Sequence, residues 1–274
     1  METFQEIDLF SRFSLTLLFQ LIRYVLVAGT TYWLFYFFKK NDWFYFKIQQ
    51  KFPKNRDVLR EIGYSLLTMV IFSVIGIGIY FLRKYDYTQI YTEVEKFGWG
   101  YLAFSIILAI FWHDTYFYWT HRLMHHPKLF PYFHKVHHLS HNPTPWAAFA
   151  FHPLEAVVEA GVLVFMVICI PMHPLAIFLF LLFMVIMNVL GHTGYEIFPK
   201  NFLKTWLGSW QNTPTHHNMH HQLGKGNYGL YFNFWDKWMK TNFKHYEATF
   251  EANASRTKEQ VTTTESSQGN LAKI

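Results

Sequence analysis

The sequence predicts an all-α integral membrane protein, a bundle of about four to five spanning helices, and three observations carry that expectation. Hydrophobic residues make up 51% of the 274 residues and aromatic residues 21%, with 30 phenylalanines, while charged residues make up only 15%. That is too little charge to coat a soluble globule of this size. Five apolar stretches, at approximately 14–38, 62–82, 98–119, 147–170 and 174–191, approach or reach the roughly 20 helical residues that a hydrocarbon core demands. Finally, the net charge of +6 falls in loops beside apolar segments. Positive-inside topology explains that pattern better than a nucleic-acid surface does.

Taken in order, the first stretch carries Arg23 and runs on into further apolar sequence without a small-residue cleavage site, so it is expected as a retained helix and not a signal peptide. The loop after it holds Lys39, Lys40, Lys47, Lys51, Lys54, Arg56 and Arg60. The second and third stretches are long enough to span. The fourth and fifth are joined only by Pro171, Met172, His173 and Pro174, which requires a tight hairpin with proline at the stop and at the restart. That tip has no Lys or Arg, so the basic loop is expected in the cytoplasm, with the N-terminus outside and the segments 120–146 and 192–274 inside. The fifth stretch is slightly short and is expected to tilt or to lie partly in the interface. From about Ala248 the chain turns to Thr, Ser, Glu, Gln and Lys, the composition of a disordered polar tail over 248–274. No internal repeat is evident.

The chemistry lies in histidine. The one cysteine, Cys169, is expected to be buried in a span, and it excludes a disulfide framework and every CxxC motif. A bound metal must therefore take nitrogen or oxygen ligands. Of 16 histidines, three clusters stand out: HRLMHH with His121, His125 and His126; HKVHH with His134, His137 and His138; and HHNMHH with His216, His217, His220 and His221. Residues three and four apart share one helix face, so each set can converge its imidazoles. One HxxxH alone reads as interfacial decoration, but three clusters on one aqueous face ask for a dinuclear centre. Eight nitrogens exceed a single four-coordinate zinc, whereas two adjacent metals with four or five ligands each would use them all.

Imidazole suits zinc, copper, iron and nickel alike, so ligand softness leaves the metal open. Zinc hydrolysis asks for an HExxH or an equivalent carboxylate, and none of the three clusters contains Glu. GxSxG and Gly-rich phosphate loops are absent from the sequence. Two irons beside a membrane point to oxygen activation on a lipid. Two alternatives stay open: a zinc-dependent membrane hydrolase, which would act without oxygen or reductant, and a metal transporter, which would carry its histidines within the spans along a path.

The order HRLMH, HKVHH, HNMHH is also the HX3H, HX2HH, HX2HH pattern of the fatty acid hydroxylase superfamily of membrane di-iron oxygenases, which this chain resembles. HDTYFYWTHRLMHH, NPTPWAAFAFHPLE, GHTGYE, and NTPTHHNMHH followed by GNYGLYFNFWDKW each look like segments of that family, over about residues 99–245. The PTP run before AFHP and the NYG before the WD look most like the sterol C5 desaturase (lathosterol oxidase) branch. On this resemblance residues 1–98 are N-terminal membrane helices and 99–247 the catalytic domain.

The resemblance implies that His121, His125, His134, His137, His138, His217, His220 and His221 hold metal, with His192 as a ninth ligand. His216, His152 and His113 are implied as outer support or possible ligands; His113 departs from the pattern of the C5 branch. Asp114, Glu155 and Asp236 are candidate partners for the far ring nitrogens. His173 and His245 are expected to be structural or solvated, and His126 and His141 not to be ligands. The implied cofactors are two Fe ions, which zinc can displace on purification, with O2 as co-substrate. The implied reaction is hydroxylation or desaturation of a sterol, with an acyl lipid as the runner-up. The chain has no haem, dinucleotide or iron-sulfur motif, so electrons are expected from an external donor of the cytochrome b5 or ferredoxin type. The implied location is a multi-pass membrane position, in the endoplasmic reticulum of a eukaryote or the inner membrane of a bacterium. No nucleic-acid partner is expected.

Overall fold

A computed structural model describes residues 8–260 of the chain. Among them no extended strand occurs; the β-type contacts are three isolated bridges. Seven helices organise the fold: α1 (Leu9–Phe38), α2 (Asn55–Lys84), α3 (Gly98–Met124), α4 (Pro153–Cys169), α5 (Pro174–Gly191), α6 (Pro214–Leu223) and α7 (Tyr246–Ala254). Caps and prolines fix their starts. Asp8 accepts the Ser11 amide at the head of α1. His152, His173 and Thr213 do the same for α4, α5 and α6, each of which has Pro in its first turn. Such a side chain satisfies one of the amides that a helix start leaves unpaired, and Pro loses nothing there because its missing N–H has no helical partner.

Backbone contacts sort the loops onto two ends. The basic loop after α1 touches the histidine-bearing end: Ile48 N donates to Gly194 O at 3.0 Å, and Gln49 Nε2 donates to His141 O at 2.6 Å and to Asn218 Oδ1 at 3.0 Å. The loop after α2 meets the hairpin tip instead, where Gln89 N donates to Val167 O at 2.7 Å and Tyr91 N to Met172 O at 3.2 Å. The basic loop and the histidines thus share one end of the bundle. α1, α2, α3, α4 and α5 run between the two ends. Three of the five, α1, α2 and α5, are long and apolar enough to cross a membrane by length and composition.

The other two depart from the expected spans for visible reasons. α3 buries the polar side chains of His113 and Asp114 in mid-helix. In the fourth stretch, residues Pro145–Phe149 form a short 3-10 turn and the helix begins only at Pro153, leaving 17 residues that include the buried Glu155 and Glu159. Cys169 is exposed at the end of α4 and not buried within a span. The outward positions of the helices carry large apolar residues such as Phe10, Phe37, Leu59 and Val74, the surface that lipid tails accept.

The expected tail from 248 is corrected up to residue 260. Tyr246–Ala254 is helical, and Tyr246 and Phe250 pack on Met219 of α6. Asn253 donates to Thr215 Oγ1 at 3.2 Å, and Arg256 Nη1 donates to Lys47 O at 2.8 Å. One buried Phe outweighs the polar composition that suggested disorder. Residues 261–274 of the expected tail lie outside the described residues.

Candidate metal centre

The three boxes occupy three kinds of local structure. His121 sits in the last turn of α3 and His125 caps that helix. The second box spans two single turns, Phe130–Phe133 and Lys135–His138, that flank His134; His134 and His138, four apart, belong to one histidine group and His137 to the other. α6 carries the whole third box and is buried from Pro214 to His221. His192 caps the C-terminus of α5. The chain then leaves through Gly194, whose φ of +70° and lack of room suit glycine alone. A Cβ there would stand 2.6 Å from Tyr36 Oη and 3.1 Å from Pro143 O.

The nine imidazoles fall into two groups. His121, His125, His134, His138 and His220 bring one ring nitrogen each within 4.8 Å of one another, and so do His137, His192, His217 and His221. In the first group His121 Nε2 lies 2.9 Å from His134 Nε2, and His138 Nε2 lies 3.0 Å from His220 Nε2. In the second, His192 Nε2 is 3.0 Å from His217 Nε2 and 3.2 Å from His221 Nε2. Every one of these nine side chains except His125 is buried.

The outward ring nitrogens decide the proton positions. His121 Nδ1 faces Tyr228 O at 2.8 Å, His192 Nδ1 faces Asn188 O at 2.8 Å, and His220 Nδ1 faces Gly226 O at 2.8 Å. His134 Nδ1 faces Glu155 Oε1 at 2.5 Å. An acceptor opposite Nδ1 requires the proton there, so a neutral ring leaves Nε2 with a bare lone pair. His121, His192 and His220, which face backbone carbonyls, therefore turn bare Nε2 lone pairs toward the ring nitrogens of His134, His217 and His138 at 2.9–3.0 Å. Such a donor set is repulsive by itself and attractive around a cation, so these residues fit two metal ions. Protonation cannot relieve the repulsion instead. Burial lowers the pKa of His121 and His192 to about 4 and that of His138 to about 3. It drives His134, His137, His217, His220 and His221 well below the ordinary value, and neighbouring imidazoles add to the effect.

The carboxylates divide differently from the expectation. Glu155 meets a histidine directly. Asp236 lies 3.5 Å from His216 Nε2, and its oxygens mainly accept from Tyr228 N at 3.0 Å, Gly229 N at 2.7 Å and Thr241 Oγ1 at 2.6 Å. Asp114 touches no histidine; it accepts from Tyr231 N at 2.8 Å and Phe232 N at 3.2 Å. Both aspartates therefore pin the loop whose carbonyls, Gly226 O and Tyr228 O, orient His220 and His121. Burial pushes Asp236 up, but the hydrogen bonds from His216 and the loop outweigh it and hold the carboxyl below the usual range.

Three histidines that the resemblance left open are outside both groups. His216 faces Asn242 Oδ1 at 3.2 Å, His152 caps α4, and His113 is buried between Phe117, Phe180 and Tyr231. His126, His141, His173 and His245 are outside the groups as well. His173 accepts the Leu175 amide at 3.1 Å and contacts Thr92 O at 3.0 Å. His173→Ala should accordingly lower stability by about 1 kcal/mol through the lost cap while leaving activity unchanged; melting and turnover measured on one preparation check this.

Sequence reasoning missed Glu196, Asn188 and Lys47. Glu196 is buried and accepts from Thr215 N at 3.1 Å and Phe198 N at 3.0 Å, which fastens the start of α6; burial raises its pKa to about 7. Its only signal was its place in GHTGYE. Asn188 presents its carbonyl to His192 while its side chain donates to Ala148 O at 2.6 Å. Lys47 is fully buried among Tyr36, Phe52 and Tyr195, with its Nζ 5.0–5.6 Å from their ring centres, and burial lowers its pKa to about 7.

A cavity adjoins the histidines on the side of the spans. It encloses about 900 Å³ of space, its open mouth included, and its walls come from α1, α2, α3, α4 and α5. Phe117 and Phe151 form its boundary toward the histidines, with ring centres 4.9 Å from His121 and 5.3 Å from His137.

The fatty acid hydroxylase family model matches residues 106–241. A Delta(7)-sterol 5(6)-desaturase, ERG3B of Gibberella zeae, is 35% identical over 189 residues, 69% of this chain and 56% of that protein. The lathosterol oxidase of Rattus norvegicus is 28% identical over 233 residues, 82% of this chain and 76% of its own. The C-4 methylsterol oxidase erg25 of Schizosaccharomyces pombe is 30% identical over 172 residues, 57% of this chain and 55% of its own. The chain thus spans little more than half the length of the two fungal relatives. No solved structure matches it significantly.

Proposed function

The chain belongs to the fatty acid hydroxylase family, and on that premise we propose that it is an O2-dependent membrane oxidoreductase that hydroxylates or desaturates a sterol or other lipid. The observation that carries this reading is the pair of buried histidine groups, five imidazoles and four, set against an apolar cavity between the helices. His121, His125, His134, His138 and His220 would hold one iron, and His137, His192, His217 and His221 the other. Bound iron supplies the reduction of dioxygen and the removal of hydrogen from an unactivated carbon.

The chain's own residues do the rest. Tyr228 O, Gly226 O, Asn188 O and Glu155 keep the protons on Nδ1 and aim the Nε2 lone pairs inward. Phe117 and Phe151 hold the substrate surface beside the metals and keep bulk water from the reacting carbon. Residues 99–247 act as the catalytic domain, together with α7, which packs beneath the third box. The electron donor is external, of the cytochrome b5 or ferredoxin type, and docks at the end of the bundle that carries the basic loop.

That end is cytoplasmic in this reading. A reporter fused after residue 250 should therefore read cytoplasmic and one at the N-terminus external. A C-terminal reporter on the opposite side would separate the histidines from cytosolic reductant and remove the proposed electron route. The location follows as a multi-pass protein of the endoplasmic reticulum or a bacterial inner membrane.

A sterol is favoured over an acyl lipid because the relatives named above act on sterols by their names and because the cavity is apolar with few polar groups. Reconstituted protein given iron, reductant, oxygen and a mixed lipid extract should oxidise the sterol fraction, as read by mass spectrometry. Product confined to acyl chains would refute the sterol assignment and leave the oxygen chemistry standing. A hydrolysis product formed without oxygen or reductant would support a zinc hydrolase instead.

A further inference from the structure

The cavity contains more polar atoms than an apolar passage needs. His113 of α3 and Glu159 of α4 line it at 5% and 8% exposure, and His113 Nδ1 and Glu159 Oε1 have no hydrogen-bond partner. From α1, Arg23 also lines the cavity; its Nη2 donates to Gln20 Oε1 at 3.0 Å, while Nε and Nη1 are unpartnered. None of these side chains belongs to the two histidine groups. A buried polar atom without a partner is costly, so several of them around one cavity point to a ligand that completes them.

We propose that His113 and Glu159 form a polar subsite that takes a hydroxyl group of an otherwise apolar lipid, and so fix which end of the substrate faces the metals. This rests on the reading of the site as a lipid oxidoreductase. A hydroxyl can donate to one group and accept from another at the same time, which matches a carboxyl oxygen and an imidazole nitrogen on neighbouring helices. A carboxylate headgroup fits less well. Arg23 alone would answer its charge, whereas a hydroxyl meets the hydrogen-bonding atoms of the lining without bringing a charge into the cavity.

The subsite also has a direction. His121 follows His113 by eight positions on α3, about 12 Å along the axis, with Phe117 one turn from each. Glu159 is one turn, about 6 Å, beyond Glu155 on α4. The hydroxyl is thus held beyond Phe117 as seen from the histidine groups, which orients the substrate relative to them.

Binding tests this without turnover. Full-length protein in nanodiscs is titrated with lathosterol, with lathosterol methyl ether and with oleate, each read by displacement of a fluorescent sterol. The wild type should bind lathosterol about tenfold more tightly than the ether, the loss expected for one hydrogen bond. Glu159→Leu and His113→Phe should each bring the two sterols to near parity, and Glu159→Gln, which keeps a polar oxygen, should retain most of the difference. Parity in the wild type overturns the proposal with no variant needed. So does a preference that survives Glu159→Leu, or oleate binding more tightly than lathosterol. Product analysis separates the two readings: oxidised sterol without hydroxyl discrimination removes the subsite alone, whereas discrimination without oxidation keeps the subsite and removes the reaction.

Discussion

His137→Ala should leave the protein folded, membrane-inserted and almost inactive, with one metal per chain where two are proposed for the wild type. His137 belongs to the group of four, so its loss leaves His192, His217 and His221 with three nitrogens. The group of five loses nothing directly, because its rings are oriented by separate acceptors: Tyr228 O, Gly226 O and Glu155. Metal ions contribute several kcal/mol of transition-state stabilisation, so turnover should fall on the order of a thousandfold or more. Anaerobic preparation followed by elemental analysis gives the stoichiometry, and oxidised product per chain gives the rate. Wild-type protein with a single tightly held metal, or full turnover in His137→Ala, would contradict the dinuclear assignment.

The next largest effect is expected at Glu155. Among the described residues its carboxyl is the one acidic group in direct contact with a member of the histidine groups, 2.5 Å from His134 Nδ1. Removing such a partner frees the imidazole to rotate and to exchange tautomers, at a typical cost of 10- to 100-fold in metal affinity. Glu155→Leu should therefore weaken metal binding by about that factor, measured by chelator competition, while Glu155→Gln, which keeps an acceptor oxygen, should lose much less. Asp114→Asn is the contrasting case. Asp114 accepts two loop amides and touches no histidine, so its effect should appear first in stability. Equal losses in metal affinity for Glu155→Leu and Asp114→Asn would show that position in the fold, and not the hydrogen bond to His134, sets the effect.

Much of this protein is local in character, and the local part was readable. Long apolar runs bounded by prolines predict helices because each residue's environment repeats along one segment, and α1, α2 and α5 follow with little displacement. The box histidines were readable for the same reason: spacing of three and four survives whether the segment is one long helix or, as around His134, two short turns. α7 was not readable, because one buried Phe250 in a polar stretch declares itself only when α6 is beside it. The buried polar residues of α3 and α4 were also understated, since their neighbours come from other helices.

The sequence by itself determined the residue types and the number of imidazoles, and from these that a metal here takes nitrogen ligands, because donor identity is a property of each side chain alone. Only the tertiary structure decided how nine histidines divide into five and four, which of three acids meets a member of these groups, and which nitrogen carries the proton on His121, His192 and His220. Each of those facts depends on a partner distant in the chain: Tyr228 for His121, Glu155 for His134, and Gly226, beyond the end of its helix, for His220. A hydrogen bond is made or lost within a few tenths of an ångström, and spacing along a sequence carries no such information across loops.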